Sequence, residues 1–327
     1  MIQRRHIILG AGAACAITSA FPSAAWAQAA AWPSKPIKLV VAFAPGGPAD
    51  IIARLLSQRL SDRLRQSVIV ENRGGAGGNV AAQAVARTEP DGYTLLITTS
   101  AFAVNPALSR KAGYDPLKDF DCINILADTP NLLVAAPNLP VQNLTDVFRL
   151  AKTQNLSFGT AGGGTTPHLS AEYLFKSLAK VNIVHAPYTG ASPALSAVMG
   201  DQIQLASVAL PAAVALVKAE KVRALAVTSA QRASSIPNVP TVAELGFRGF
   251  SFTTWVGMFA PAKTPAAIIS RLNSELNLAL FIPEFQQQLD KAGFSPLGGS
   301  QDKSNDYLKA ELAKYAKVVK ETGITAE

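Results

Sequence analysis

The chain has 327 residues, a formal net charge of +8 and only two cysteines. Its length suits two domains with sizeable cores. Lys and Arg are scattered, with no dense basic stretch and no aromatic interleaving, which argues against a nucleic-acid surface; after residue 27 no apolar run is long enough to span a bilayer.

Residues 1–27 read as an export signal. Arg4-Arg5 form a positive start, Ile7 to Ala20 an apolar stretch, and Ala25-Trp26-Ala27 a small-x-small cleavage site. The twin arginines suit the twin-arginine route, and the general secretory route fits equally well. Arg4 and Arg5 leave with the signal, which lowers the formal charge from +8 to +6. Cys15 leaves too, so Cys122 is the single cysteine of the exported chain and no internal disulfide can form.

The rest alternates strand and helix signals, the pattern of an α/β protein with largely parallel sheets. Ile37–Phe43 is a β-branched apolar run and reads as a buried strand. Pro45-Gly46-Gly47 breaks it, and a helix over Ala49–Leu64 follows, with Ile51, Leu55, Leu56, Leu60 and Leu64 at helical spacing. Pro48 suits the first helical position, and Asp50 can turn its carboxylate toward the open N–H groups of the first turn. Two glycines leave that turn uncovered, so a ligand can approach the main chain. Strand, glycine turn and open helix N-terminus make an anion site at the carboxyl end of a sheet.

Ser67–Glu71 is the second strand, followed by the glycine loop Asn72–Asn79, a helix over Val80–Arg87 and a third strand at Thr94–Thr98. An irregular stretch then leads to Leu132–Ala136, the apparent start of a second unit, and Thr145–Gln154 is its first helix. Ser157–Thr160 runs into Ala161-Gly162-Gly163-Gly164-Thr165-Thr166-Pro167-His168 and a helix to Ala179, repeating the logic of the opening stretch. Ile183–His185 leads to Pro187-Tyr188-Thr189-Gly190. Helices over Ser192–Met199 and Leu210–Lys218 alternate with extended Ile203–Ser207 and Arg223–Thr228. Pro265–Leu280, Glu284–Ala292 and Asp302–Thr322 are the closing helices, the last burying Leu308, Leu312, Tyr315 and Val319.

Enzyme motifs mostly fail. There is no phosphate loop ending in Gly-Lys-Ser/Thr, and Gly75-Ala76-Gly77-Gly78-Asn79-Val80 lacks the last glycine of a dinucleotide fingerprint. No cofactor is expected. His168, His185 and Cys122 are not at metal-ligand spacing. His168 could serve as a catalytic base in an exported hydrolase or isomerase, or simply as a polar group at a helix start. The polar groups at the loop tips are instead neutral: Thr98, Thr99, Ser100, Asn105, Thr160, Thr165, Thr166, Tyr188, Thr189. Together with exposed main-chain N–H groups, such residues hold a small anion without performing chemistry on it. Crowding the second turn, as in Gly163→Val, is expected to weaken that hold.

Several segments resemble the Bug family, the periplasmic solute receptors of tripartite tricarboxylate transporters. They include Trp32-Pro33-Ser34-Lys35-Pro36-Ile37, Phe43–Asp50, Val70–Asn79, Pro90–Leu96, Gly162–Leu169, His185–Gly190, Arg223–Thr228, Pro237–Thr241, and Trp255 with Phe259-Ala260-Pro261-Ala262. The resemblance runs in order through the chain after the signal. It implies a two-domain, type II periplasmic-binding fold, with residues 28–127 and 252–327 forming one domain, 128–251 the other, and a ligand cleft between two helix-flanked sheets. It also implies a periplasmic location, a small organic carboxylate as ligand and membrane transporter subunits as partners. A ligand sensor for a signalling partner would use the same fold.

Carried over by position, the ligand-binding loops are Phe43–Asp50 (Phe43, Pro45, Gly46, Gly47, Pro48, Asp50), Thr99–Phe102 (Thr99, Ser100, Phe102), Gly162–His168 (Gly162, Gly163, Gly164, Thr165, Thr166, His168) and Tyr188–Gly190 (Tyr188, Thr189). Phe102 stands where many relatives have His, Thr189 replaces a common Lys, and Val208-Ala209 stand where many relatives carry an Asp-Asn or Asp-Ser pair. These departures imply a less charged cleft, with Phe102 on its rim and Val208 at its edge. A carboxylate with an apolar or aromatic body, or a dicarboxylate, is expected to fit it better than aspartate or glutamate.

Overall fold

A computed structural model describes residues 32–108 and 112–324; the expected signal, with Cys15, lies outside the described residues. In chain order the first elements are β1 (Ile37–Val41), α1 (Pro48–Leu64), β2 (Val68–Asn72), α2 (Asn79–Ala86), β3 (Thr94–Thr99), α3 (Ala101–Leu108) and β4 (Phe120–Ala135). Then come α4 (Leu144–Leu150), β5 (Leu156–Thr160), α5 (Thr166–Glu172), β6 (Ile183–Pro187), α6 (Ala191–Met199), β7 (Leu205–Ala209), α7 (Val214–Lys218) and β8 (Arg223–Val227). β9 (Thr253–Pro261), α8 (Ala266–Leu280), α9 (Pro283–Lys291), β10 (Ser295–Pro296) and α10 (Gln301–Thr322) complete it. A π-helical turn, Tyr173–Leu178, continues α5.

β1 lies between β2 and β3, parallel to both. Helices cover it on both faces, which is why Leu39, Val40 and Val41 read as an unbroken apolar run. β5 is likewise flanked in parallel by β6 and β7. The two parallel groups are joined by antiparallel strands that the sequence reading passed over. β4 is 16 residues long, about 50 Å at the usual rise. Along Phe120–Pro130 it pairs with β9, and along Asn131–Ala135 with β7 and β8, always antiparallel. The sheet is therefore mixed rather than largely parallel.

The apolar core follows the same division. One cluster draws on β1, β3, β9, α1 and the first part of β4, with Leu276, Phe285, Leu308 and Tyr315 from the closing helices. Two others, built from residues 132–252, lie on opposite faces of β4, β5 and β7; Phe158, Phe175 and Leu205 belong to one, Leu132, Val198 and Val208 to the other. Of the α10 stripe, Leu308 and Tyr315 are fully buried and Leu312 and Val319 partly so.

Candidate functional site

Three helices begin at one place. α1 starts after Gly47, whose extended backbone (φ −84°, ψ 173°) lets the chain enter the helix with no side-chain cap. α5 starts after Thr165, whose Oγ1 accepts from the His168 N–H at 3.4 Å, and α6 starts after Gly190, also uncapped by a side chain. First-turn N–H groups have no partner within their own helix, and the dipole makes each such end attractive to an anion. Gly47, Pro48, Thr165, Pro167 and Ala191 from these three starts line one cavity, with Phe43, Thr99, Ala161, Ala209 and Thr254. Its free volume is about 20 Å³, room for a water but not for an organic acid. The cleft is shut.

Around the cavity, bonds and contacts join the turn after β1, the loop before α2, the end of β3 and α3 to the loops before α5 and α6. The Ala44 N–H donates to the Thr189 carbonyl at 3.2 Å. Ser100 Oγ and Thr166 Oγ1 lie 3.0 Å apart. Gly77 (φ +61°) passes so near the Gly163 carbonyl that a Cβ there would sit 2.2 Å from its oxygen. Gly164 (φ +75°) likewise leaves space for Asn105, whose Oδ1 would meet a Cβ at 1.8 Å.

The residues expected from the sequence divide into three groups. Phe43, Gly47, Pro48, Thr99 and Thr165 line the cavity. Gly163, Gly164, Ser100, Thr166 and Thr189 take part in the contacts just described, Gly46 and Gly162 lie in the same turns, Pro45 is exposed, and Tyr188 packs partly against the core around Leu195.

The third group faces elsewhere. Phe102 is not on a rim: its ring stacks on Tyr114 at 5.0 Å and meets Phe259 at 4.5 Å, inside the core. Val208 is buried among the apolar residues of β7 and α6, and its neighbour Ala209 takes the cavity position. Strand side chains alternate between faces, so an expectation one residue out selects the wrong face. Asp50 does not reach toward the first-turn N–H groups. Its Oδ2 accepts from the Gly46 N–H and from Arg54 Nε, both at 2.9 Å, and its Oδ1 from Asn72 Nδ2 at 2.9 Å. Burial pushes this carboxyl up, but the bonds from Arg54, Gly46 and Asn72 outweigh it and hold its pKa below the usual value. It braces the turn.

His168 also faces away from the cavity. Its ring stacks on His185 with centroids 3.9 Å apart, and its Nδ1 accepts from the Gly164 N–H at 3.3 Å. Burial, then the neighbouring His185 and Lys176, push its pKa down to about 3. Burial and Lys176 push His185 down to about 4. Both rings are neutral at pH 7, and neither lines the cavity. Among the described residues no group of three or more His, Cys, Asp or Glu could hold a metal, and no helix is long and apolar enough to cross a membrane.

Ala161, Pro167, Ala191, Ala209 and Thr254 were not anticipated. Four lie beside anticipated residues and needed only the correct face. Thr254 sits on β9, a strand the sequence does not announce.

Comparison with known proteins identifies the family and the fold. The family model for the tripartite tricarboxylate transporter family receptor matches residues 52–324. Protein BugT of Bordetella pertussis is 33% identical over 305 residues, 92% of this chain and 93% of its own. The periplasmic binding protein BugD superposes with a TM-score of 0.87 at 32% identity, over 90% of this chain and all of its own. R. palustris Rpa4515, solved with adipate, gives a TM-score of 0.86 at 37% identity, over 90% and 99%. The fold is that of a periplasmic binding protein, and these relatives are solute-binding proteins rather than enzymes. The chain belongs to the receptor family of the tripartite tricarboxylate transporters.

Proposed function

We propose that the protein captures a small organic carboxylate in the periplasm and hands it to membrane subunits of a tripartite tricarboxylate transporter. The observation that carries this reading is the convergence of the α1, α5 and α6 starts on one cavity. In this reading residues 28–127 with 252–327 form one lobe and 128–251 the other, joined by β4, which runs across the boundary. The shut cleft opens to admit the acid, and closes over it with the N–H groups of the helix starts on its carboxylate. The membrane partner then recognises the closed form.

The cavity wall favours an acid with an apolar body. Phe43, Pro48, Ala161, Pro167, Ala191 and Ala209 offer apolar contact and Thr99 a hydroxyl, while the hydroxyl protons of Thr165 and Thr254 go to the Gly162 carbonyl and to Asn131. No carboxylate lines it, and Asp50 is consumed by Arg54, Asn72 and Gly46. The ammonium of an amino acid would lose its water without gaining an anionic partner, which is costly. Binding of adipate by the similar R. palustris protein supports the same class. Calorimetric titration of ligand-stripped protein with adipate, terephthalate, malate, aspartate and glutamate tests the reading. Adipate or terephthalate should bind more tightly than either amino acid; tighter binding of aspartate or glutamate, or no binding of any acid, would refute it.

A further inference from the structure

The buried polar groups behind the cavity contain one that the protein leaves unused. Ser100, Thr166, Thr254 and Asn131 form a chain of side-chain hydrogen bonds: Ser100 Oγ to Thr166 Oγ1 at 3.0 Å, Thr166 Oγ1 to Thr254 Oγ1, and Thr254 Oγ1 to Asn131 Oδ1 at 2.6 Å. All four residues are buried, Asn131 completely. The direction of the chain follows from its end. Asn131 Oδ1 can only accept, so Thr254 spends its single proton there, Thr166 must donate to Thr254, and Ser100 to Thr166. Every hydroxyl proton is then committed.

Asn131 Nδ2, at the end of this chain, has no partner. Turning the amide over would exchange an orphan donor for an orphan acceptor and reverse the hydroxyls, so one side of the amide stays unused either way. Burying such a group is unfavourable, and native structures rarely leave it without a purpose. The position of Asn131 supplies one. In the β4–β7 ladder it stands directly opposite Ala209, and opposite residues of a ladder point to the same face. Ala209 lines the cavity, as does Thr254, to which the amide is bonded. The unpaired amide therefore lies on the face of the sheet that carries Ala209, directly behind the lining residue Thr254, on the strand where pairing passes from β9 to β7; Asn131 itself is wholly buried, and an opening of the cavity is needed to bring its amide to a ligand.

Building on the receptor reading above, we propose that Asn131, held by Thr254, is a second polar contact for the ligand. The helix starts hold one carboxylate, and the free amide N–H of Asn131 donates to the second carboxylate of a dicarboxylic acid. The site thereby distinguishes a dicarboxylate from a monocarboxylate of the same chain length. Because Asn131 lies on a strand that runs through both parts of the sheet, this contact also places the ligand against the crossing strands themselves.

The test is calorimetric titration of the exported chain, stripped of ligand, with two matched pairs: adipate and hexanoate, succinate and butyrate. Wild type, Asn131→Ala and Thr254→Val are compared, with thermal melting to verify folding. In the wild type the dicarboxylate of at least one pair should bind at least tenfold more tightly than its partner. Asn131→Ala should remove most of that ratio while leaving the monocarboxylate within about threefold of wild type. Thr254→Val, which frees the amide from its tether, should reduce the ratio in the same sense and stands in if Asn131→Ala does not fold. An equal loss for both members of a pair, or an unchanged ratio, would overturn the proposal while leaving the receptor reading intact. If none of the four acids binds wild type, this inference falls, while the receptor reading is decided by the wider panel above.

Discussion

Replacing Gly190 by alanine should prop the cleft open without harming the fold. Gly190 is extended (φ 176°), a conformation any residue adopts, so alanine brings no backbone strain. Its Cβ would stand 2.7 Å from Ala44 Cβ and 3.1 Å from Ala44 N, across the closed cleft. Both are closer than ordinary contact, so Ala44 must retreat and its 3.2 Å bond to the Thr189 carbonyl must lengthen. A lost hydrogen bond costs about 1 kcal/mol, and overpacking adds about 1–3 kcal/mol where the contact cannot relax. Because the lobes can yield by parting, about 2 kcal/mol against the closed form is a reasonable figure, equal to about thirtyfold in affinity. The melting temperature of the ligand-free variant should hold, since opening relieves the clash. Calorimetry with the tightest acid and solution scattering with and without it would measure both effects. An unchanged affinity, with the same compaction on ligand addition as wild type, would refute the closed-cleft argument.

Acid should destabilise the protein through the histidine pair. His168 and His185 have pKa values near 3 and 4 in the folded chain, against about 6.5 unfolded. Their contribution is complete above pH 6.5 and is lost as pH falls toward 4, because the unfolded chain then binds more protons. Asp128, raised to about 6 chiefly by burial, works in the opposite direction below that pH. Asp121, also raised by burial, adds to Asp128, so the two histidines, with the larger shifts, set the sign and stability should fall as pH drops from 7 to 5. Urea titrations at pH 7 and 5 would measure it, and stability rising at pH 5 would contradict the assignment. Phe102→Ala should cost about 3–5 kcal/mol of stability yet leave ligand affinity in the folded protein within about twofold, read by denaturation and calorimetry; selective loss of affinity would return Phe102 to the cleft. Thr165→Val should cost about 1 kcal/mol from the lost helix cap and also weaken ligand binding, whereas Thr165→Ser should restore both; full binding by the valine variant would remove that hydroxyl from the site.

The glycine turns were legible because their cause is local. Positive φ at Gly46 and Gly164, and a helix start immediately after each turn, leave a signature within eight residues. β4 and β9 were not legible. Asp121, Asn124, Asp128, Thr129 and Asn131 interrupt the apolar pattern of β4, and their partners are far away in sequence: Thr129 donates to the Gly293 carbonyl, and Asn124 to the Gly299 carbonyl. Only tertiary contact makes such residues compatible with a buried strand. Side-chain direction was the other gap. Ala209 rather than Val208 faces the cavity, and Phe102 turns inward because Tyr114, Phe120 and Phe259 form an aromatic nest beneath it. At Gly163 a Cβ meets no protein atom within 4 Å, so Gly163→Val would act on a ligand rather than on the fold, whereas Gly164 and Gly77 are the positions crowded by the protein itself.

The central claim, that three helix starts hold a carboxylate in a cleft that opens and closes, is tested most directly by a crystal structure. The stripped protein should be co-crystallised with the acid that binds most tightly in the calorimetric panel. The account predicts one carboxylate within hydrogen-bond distance of first-turn N–H groups of at least two of α1, α5 and α6, in a cavity enlarged from its present 20 Å³. An acid bound outside that cavity, or held without contact to any of those helix starts, would contradict it.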